Sequence, residues 1–163
     1  MVLPITEIER VLDELAEMPR RVAAAAQRMS SAQLHTRPDE ESWSANDILA
    51  HLCACADVWG GSIQKMLREE HPTMRYVSPR TWMKKTNFPE LRFEDSFQAY
   101  TQQRSELLNV LKSLGPEEWR CGATFTGTTR GREHTIFSYA VRIIRHEQEH
   151  CQQIEALVER IEP

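Results

Sequence analysis

The chain has 163 residues, 40% hydrophobic and 27% charged, with a formal net charge of −4. That balance fits one soluble globular domain over residues 1–163, long enough to bury a core without disulfide or metal staples. It excludes a protein that grips nucleic acid by neutralising phosphates, and no apolar run approaches the ~20 residues of a membrane span.

The N-terminal MVLPITEIER carries no signal-peptide pattern. The four cysteines, Cys53, Cys55, Cys121 and Cys151, show no C-x-x-C spacing. A cytoplasmic protein with reduced thiols is the expectation.

The first predicted helix runs from about Pro4 to Ser30. Ile5, Ile8, Val11, Leu12, Leu15 and Met18 recur at three and four residues. Pro4 suits the first turn, whereas Pro19 should kink or break the helix. SAQLHTRPDEES then reads as a loop. The second helix opens at WSANDILAHL, where Ser44 and Asp47 form a capping-box-like start. Ile48, Leu52, Cys55 and Trp59 mark its inward face, and it runs to about Glu70. Gly60 and Gly61 weaken it midway and suggest close packing there.

Residues 71–92 form a long connection, the kind that often borders a site. The third helix spans about Phe93 to Leu114, with Phe97, Tyr100, Arg104, Leu107, Leu108 and Leu111 along it. Gly115-Pro116 ends it. A Gly/Thr-rich loop, CGATFTGTTRGREH, leads to a fourth helix from about Thr135 to Ile161. No alternating strand is evident. The economical architecture is all-α, a four-helix bundle with long connections and room for an order other than simple up-and-down.

The fourth helix contains H-E-x-x-H at His146, Glu147 and His150. Ile136, Tyr139, Ile143, Leu157 and Ile161 form a seam whose step passes through both histidines. Histidines four apart lie ~6 Å apart along one helix face. His51 lies beside the inward face of the second helix, and a bundle brings two helices within ~8–10 Å. His51, His146 and His150 are therefore candidate ligands of one divalent metal. Three polar rings in a core are costly unless each finds a partner. Three protein ligands also leave a position for water or substrate. The plainer reading is three hydrogen-bonded core histidines.

A zinc protease does not fit. The metzincin positions for Gly and the third His hold Gln153 and Ala156, and too little chain follows for a distant Glu ligand. Glu147 then reads as a solvated helix residue, ahead of a group orienting a histidine. Cys55, one turn beyond His51, could face the metal, but a small buried hydrophobe is the preferred reading. Cys53 and Cys151 point elsewhere. Trp43 and Trp59 read as core or loop packing. Arg130, Arg132 and His134 suggest an anion-binding rim, with solvated loop charges favoured over it.

RPDEESWSANDILAHLCACADVW, FEDSFQAYTQQRSELLNVLKSLGPEEW and TIFSYAVRIIRHEQEHCQQIEALV, in that order, resemble the DinB-like superfamily from about Ile5 to Val158. The most specific elements are Trp43-Ser44, His51-Leu52 and the late H-x-x-x-H. The resemblance implies a four-helix bundle, commonly a homodimer. It also implies a divalent metal on three histidines, which map to His51, His146 and His150. Nickel or zinc is expected first, manganese or iron next. Characterised members include thiol-dependent S-transferases and isomerases using bacillithiol, mycothiol or glutathione. A small thiol and an electrophile are thus the expected partners, and no nucleic-acid role follows. The alternative is a non-enzymatic metal-binding or sensing bundle.

Overall fold

The computed structural model describes residues 3–129 and 132–160. Four long helices dominate: α1 (Ile5–Ala26), α3 (Ala45–Arg68), α5 (Phe93–Lys112) and α6 (Ile136–Glu159). Two short helices, α2 (Ser31–His35) and α4 (Pro79–Met83), lie in the connections. Three short strands complete the chain: β1 (Thr73–Arg75), β2 (Gly122–Thr126) and β3 (Glu133–Thr135).

The helix starts follow local chemistry. Ser44 accepts from the Asp47 backbone N–H and Asp47 accepts from the Ser44 N–H, a full capping box. Thr135 and Ser138 do the same for α6. The segment read as a loop after α1 contains α2, started by a capping box of Ser30 and Gln33. Pro19 does not break α1, which runs as one helix through it. The missing proline N–H costs one hydrogen bond, and the buried stripe Val11, Leu15, Met18 and Val22 outweighs it.

α1 packs on α6 and α5, and α3 packs on the same two helices. Helices consecutive in the chain, α1 with α3 and α5 with α6, therefore occupy opposite corners. This is the non-simple order that the long connections permit.

The Gly/Thr-rich segment is not a loop. β2 pairs in parallel with β1 and antiparallel with β3, giving the order β1-β2-β3. These strands are too short to alternate visibly in sequence, and the parallel pair joins distant segments. Gly122 lies where a Cβ would come within 2.7 Å of the His134 carbonyl oxygen. Gly60 and Gly61 are different: a Cβ at either meets nothing within 4 Å, so the expected close packing is not there.

The core falls into two apolar clusters. One gathers Val11, Leu15, Ile63, Trp119, Phe125 and Tyr139 at the sheet end. The other gathers Met18, Val22, Leu49, Leu52, Tyr100 and Ile154. Between them, on α3, α5 and α6, lie His51, Arg104, Glu147 and His150, all buried. A polar layer thus crosses the middle of the bundle.

Gly122→Ala should destabilise the fold by ~1–3 kcal/mol, because the new methyl forces strand backbone apart. Gly60→Ala should stabilise it by ~0.5–1 kcal/mol through helix propensity alone. Urea denaturation midpoints of the two variants would move in opposite directions.

Candidate metal centre

α3 is buried around its whole circumference from Ala45 to Cys55, with only Asp47 partly exposed. His51 is carried inward with it and is 4% exposed. His146 and His150 approach from α6, His146 half-buried and His150 8% exposed. The structure brings all three sequence-predicted residues together. His51 Nε2 lies 3.2 Å from His146 Nε2, and His150 Nε2 lies 3.1 Å from the same atom.

These contacts cannot both be good hydrogen bonds. A neutral imidazole Nε2 carries one proton or one lone pair, so His146 can satisfy one neighbour and not two. Its Nδ1 is buried without a partner. His150 is the opposite case. Its Nδ1 lies 2.8 Å from the Gln153 side-chain oxygen, an acceptor, so Nδ1 holds the proton and Nε2 is left bare. The donor set fits a cation placed among the three Nε2 atoms, which would satisfy what the protein alone leaves frustrated.

Two tryptophans wall the histidines. Trp43 stacks on His150 with ring centroids 6.2 Å apart and tilts against His51 at 5.1 Å. Trp59 meets His146 edge-on at 4.8 Å. Both pack against the core, as the sequence suggested, and do so on the histidines. Beside His150 opens a cleft of about 410 Å³, lined among others by Trp43, Arg80, Gln153, Leu157 and Arg160. The Arg80 guanidinium sits 5.0 Å over the Trp43 ring.

A family model described as the DinB superfamily matches residues 14–154. The chain belongs to the DinB superfamily. No curated protein sequence matches it significantly. Among solved structures it is similar to YfiT from Bacillus subtilis, described as a probable metal-dependent hydrolase with an unusual four-helix bundle topology. That match has a TM-score of 0.84 at 18% identity and covers 98% of this chain and 90% of YfiT. The mycothiol-dependent maleylpyruvate isomerase matches with a TM-score of 0.72 at 14% identity, over 93% of this chain and 61% of that one. YjoA, a DinB-like protein of Bacillus subtilis, matches with a TM-score of 0.63 at 15% identity, over 93% and 91%.

In this DinB-superfamily chain the buried stripe of α6 is wider than the sequence reading: Ile136, Tyr139, Ile143 and His150 of the expected seam are buried, and so is a second line beside them. That second line is Ala140, Ile144, Glu147, Cys151, Ile154 and Val158, while His146 and Leu157 are half-buried. Ile161 lies outside the described residues. Glu147 is therefore not solvated: it is 1% exposed. Its carboxylate pairs with Arg104 of α5 and accepts a 3.0 Å hydrogen bond from the Tyr100 hydroxyl. Burial pushes the Glu147 carboxyl upward, and the Arg104 charge pulls against it. The missed signal was Arg104 itself, an arginine in the stripe of α5 that calls for a buried acid.

Other expectations also change. His134 lies edge-on to Phe125 and Tyr139 at the sheet, and neither it nor Arg132 lines the cleft by His150. Arg130 lies outside the described residues. Arg80 and Arg160 supply the basic rim instead. Cys55 is fully buried, as expected, but its Sγ lies 3.5 Å from His51 Nε2. Cys53 turns to the Ser96 carbonyl and Cys151 to that of Met18.

Burial, with neighbouring positive groups, holds the metal-free imidazoles neutral. His51 is pushed down to about 4 and His146 to about 3, and His150 is lowered too. The unfolded chain takes up protons at these rings below ~6.5, and the folded chain does not until far lower. Stability of the metal-free protein is therefore full above pH ~6.5 and falls with pH from there toward 4. His146→Ala should flatten that slope in pH-dependent urea unfolding. Glu147→Leu should cost ~3–5 kcal/mol by stranding the Arg104 charge, and adding Arg104→Met should recover most of it.

Proposed function

We propose that this chain is a divalent-metal enzyme whose centre is held by His51, His146 and His150, and which transfers a small thiol to an electrophile. The observation that carries the reading is the convergence of three imidazole Nε2 atoms beside an open cleft. A cation bound there would make a thiol ionise at neutral pH and would polarise an acceptor. Zinc or nickel suits an imidazole donor set best.

The chain's own residues supply the rest. Gln153 fixes the tautomer of His150, keeping its Nε2 free to ligate. Trp43 and Trp59 exclude water from two sides and hold the rings in place. Arg80, which forms no ion pair among the described residues, and Arg160 give the cleft a positive rim. Such a rim suits the carboxylates that glutathione and bacillithiol carry. The likeness in fold to the mycothiol-dependent isomerase supports this choice of cosubstrate class.

A second reading, hydrolysis with water as the nucleophile, is favoured by the likeness to YfiT. The two differ in one measurement. Thiol-dependent turnover across a panel of electrophiles supports the first, while thiol-independent cleavage of ester and amide substrates supports the second. A non-enzymatic bundle would show neither.

His146→Ala should reduce bound metal from about one per chain to a small fraction, read by elemental analysis. Unchanged stoichiometry would remove that residue from the centre. A strong chelator should lower the melting temperature of the purified protein by on the order of 10 °C, as expected for a ligand held far above its Kd.

A further inference from the structure

The geometry points to Cys55 as a protein ligand beside His51 and His146, so that the centre offers a thiolate sulfur as well as imidazole nitrogens. This rests on the reading that the histidines hold a cation, and it adds a residue of different chemistry to that set.

Cys55 lies one turn beyond His51 on α3, so helix geometry places both side chains over one face. Its Sγ lies 3.5 Å from His51 Nε2 and 4.0 Å from Nδ1. The donor atoms of His51, Cys55 and His146 all lie within 4.8 Å of one another. A tetrahedral ion with ~2.1 Å bonds to nitrogen and ~2.3 Å bonds to sulfur separates its ligands by ~3.4 Å for N···N and ~3.6 Å for N···S. The contacts found, 3.2 Å between His51 and His146 and 3.5 Å from His51 to sulfur, are close to that pattern, while His150 meets His146 at 3.1 Å and lies outside the set that includes the sulfur.

The other buried cysteines show what an uninvolved thiol does here. Cys53 and Cys151 turn to backbone carbonyls, the ordinary acceptors for an S–H group in a core. Cys55 instead faces an imidazole nitrogen that already meets a second imidazole. An S–H donor gains little there, whereas a metal ligand belongs there. On loading, the Cys55 S–H bond breaks, its proton passes to solvent, and a sulfur–metal bond forms. No oxidation or reduction is involved.

The consequence is selectivity. A thiolate among imidazoles favours zinc, cobalt and nickel over manganese and magnesium.

Cobalt(II) provides the test, with metal-free protein loaded in thiol-free buffer under a phosphine reductant. The wild type should show visible d–d bands together with a near-ultraviolet sulfur-to-cobalt charge-transfer band. Cys55→Ser should keep the d–d bands and lose the charge-transfer band. X-ray absorption at the zinc edge of the wild type needs no variant and should show one sulfur scatterer at ~2.3 Å beside nitrogens at ~2.1 Å. Bound cobalt without the sulfur band, or a band that survives in Cys55→Ser, would overturn the assignment and leave the histidine centre standing. No cobalt bound by the wild type would bring down both.

Discussion

The bundle depends on a polar layer that it must accommodate at mid-height. Arg104 and Glu147 reach across a diagonal of the four helices, from α5 to α6, with Tyr100 donating to the same carboxylate. Two charges taken out of water are tolerable only when paired and hydrogen-bonded. Their pairing fixes how α6 is rotated and translated against α5. The apolar clusters above and below pack against helices whose register that pair has set.

The histidine cluster is a consequence of the same rotation. With Glu147 at the buried line of α6, His146 and His150 fall to its flank, toward α3 and the cleft. His51 and His150 are buried and His146 is half-buried. They sit where a ring can be shielded by a tryptophan and still border an opening of about 410 Å³.

Much of this was legible in the sequence, and the failures have specific causes. The capping residues Ser44 and Asp47, the apolar stripe of α1 and the turn at Gly115-Pro116 mark their elements by short-range chemistry, and the structure follows them. The three histidines were visible because their spacing is a local property of two helices. The role of Glu147 was not. Tyr139, Ile143, His146 and His150 satisfy a three-and-four step as well as Ala140, Ile144, Glu147 and Cys151 do. Both lines are buried, His146 apart, and without the partner on α5 sequence alone does not show that the second is. The sheet was missed for a related reason: Thr73 pairs with Thr124 across fifty-one positions, and strands of three residues leave no period to detect.

The diagonal arrangement has a consequence for biosynthesis. His51 and His146 are separated by 95 positions, and the helix that delivers His146 is the last long element to be made. A ribosome-bound chain can assemble α1, α3 and α5 with Arg104 still lacking its acid and His51 still alone. Contacts this distant in sequence form late and slowly. Arg104 therefore stays open to solvent until α6 docks, and the histidine cluster is completed in that same final event.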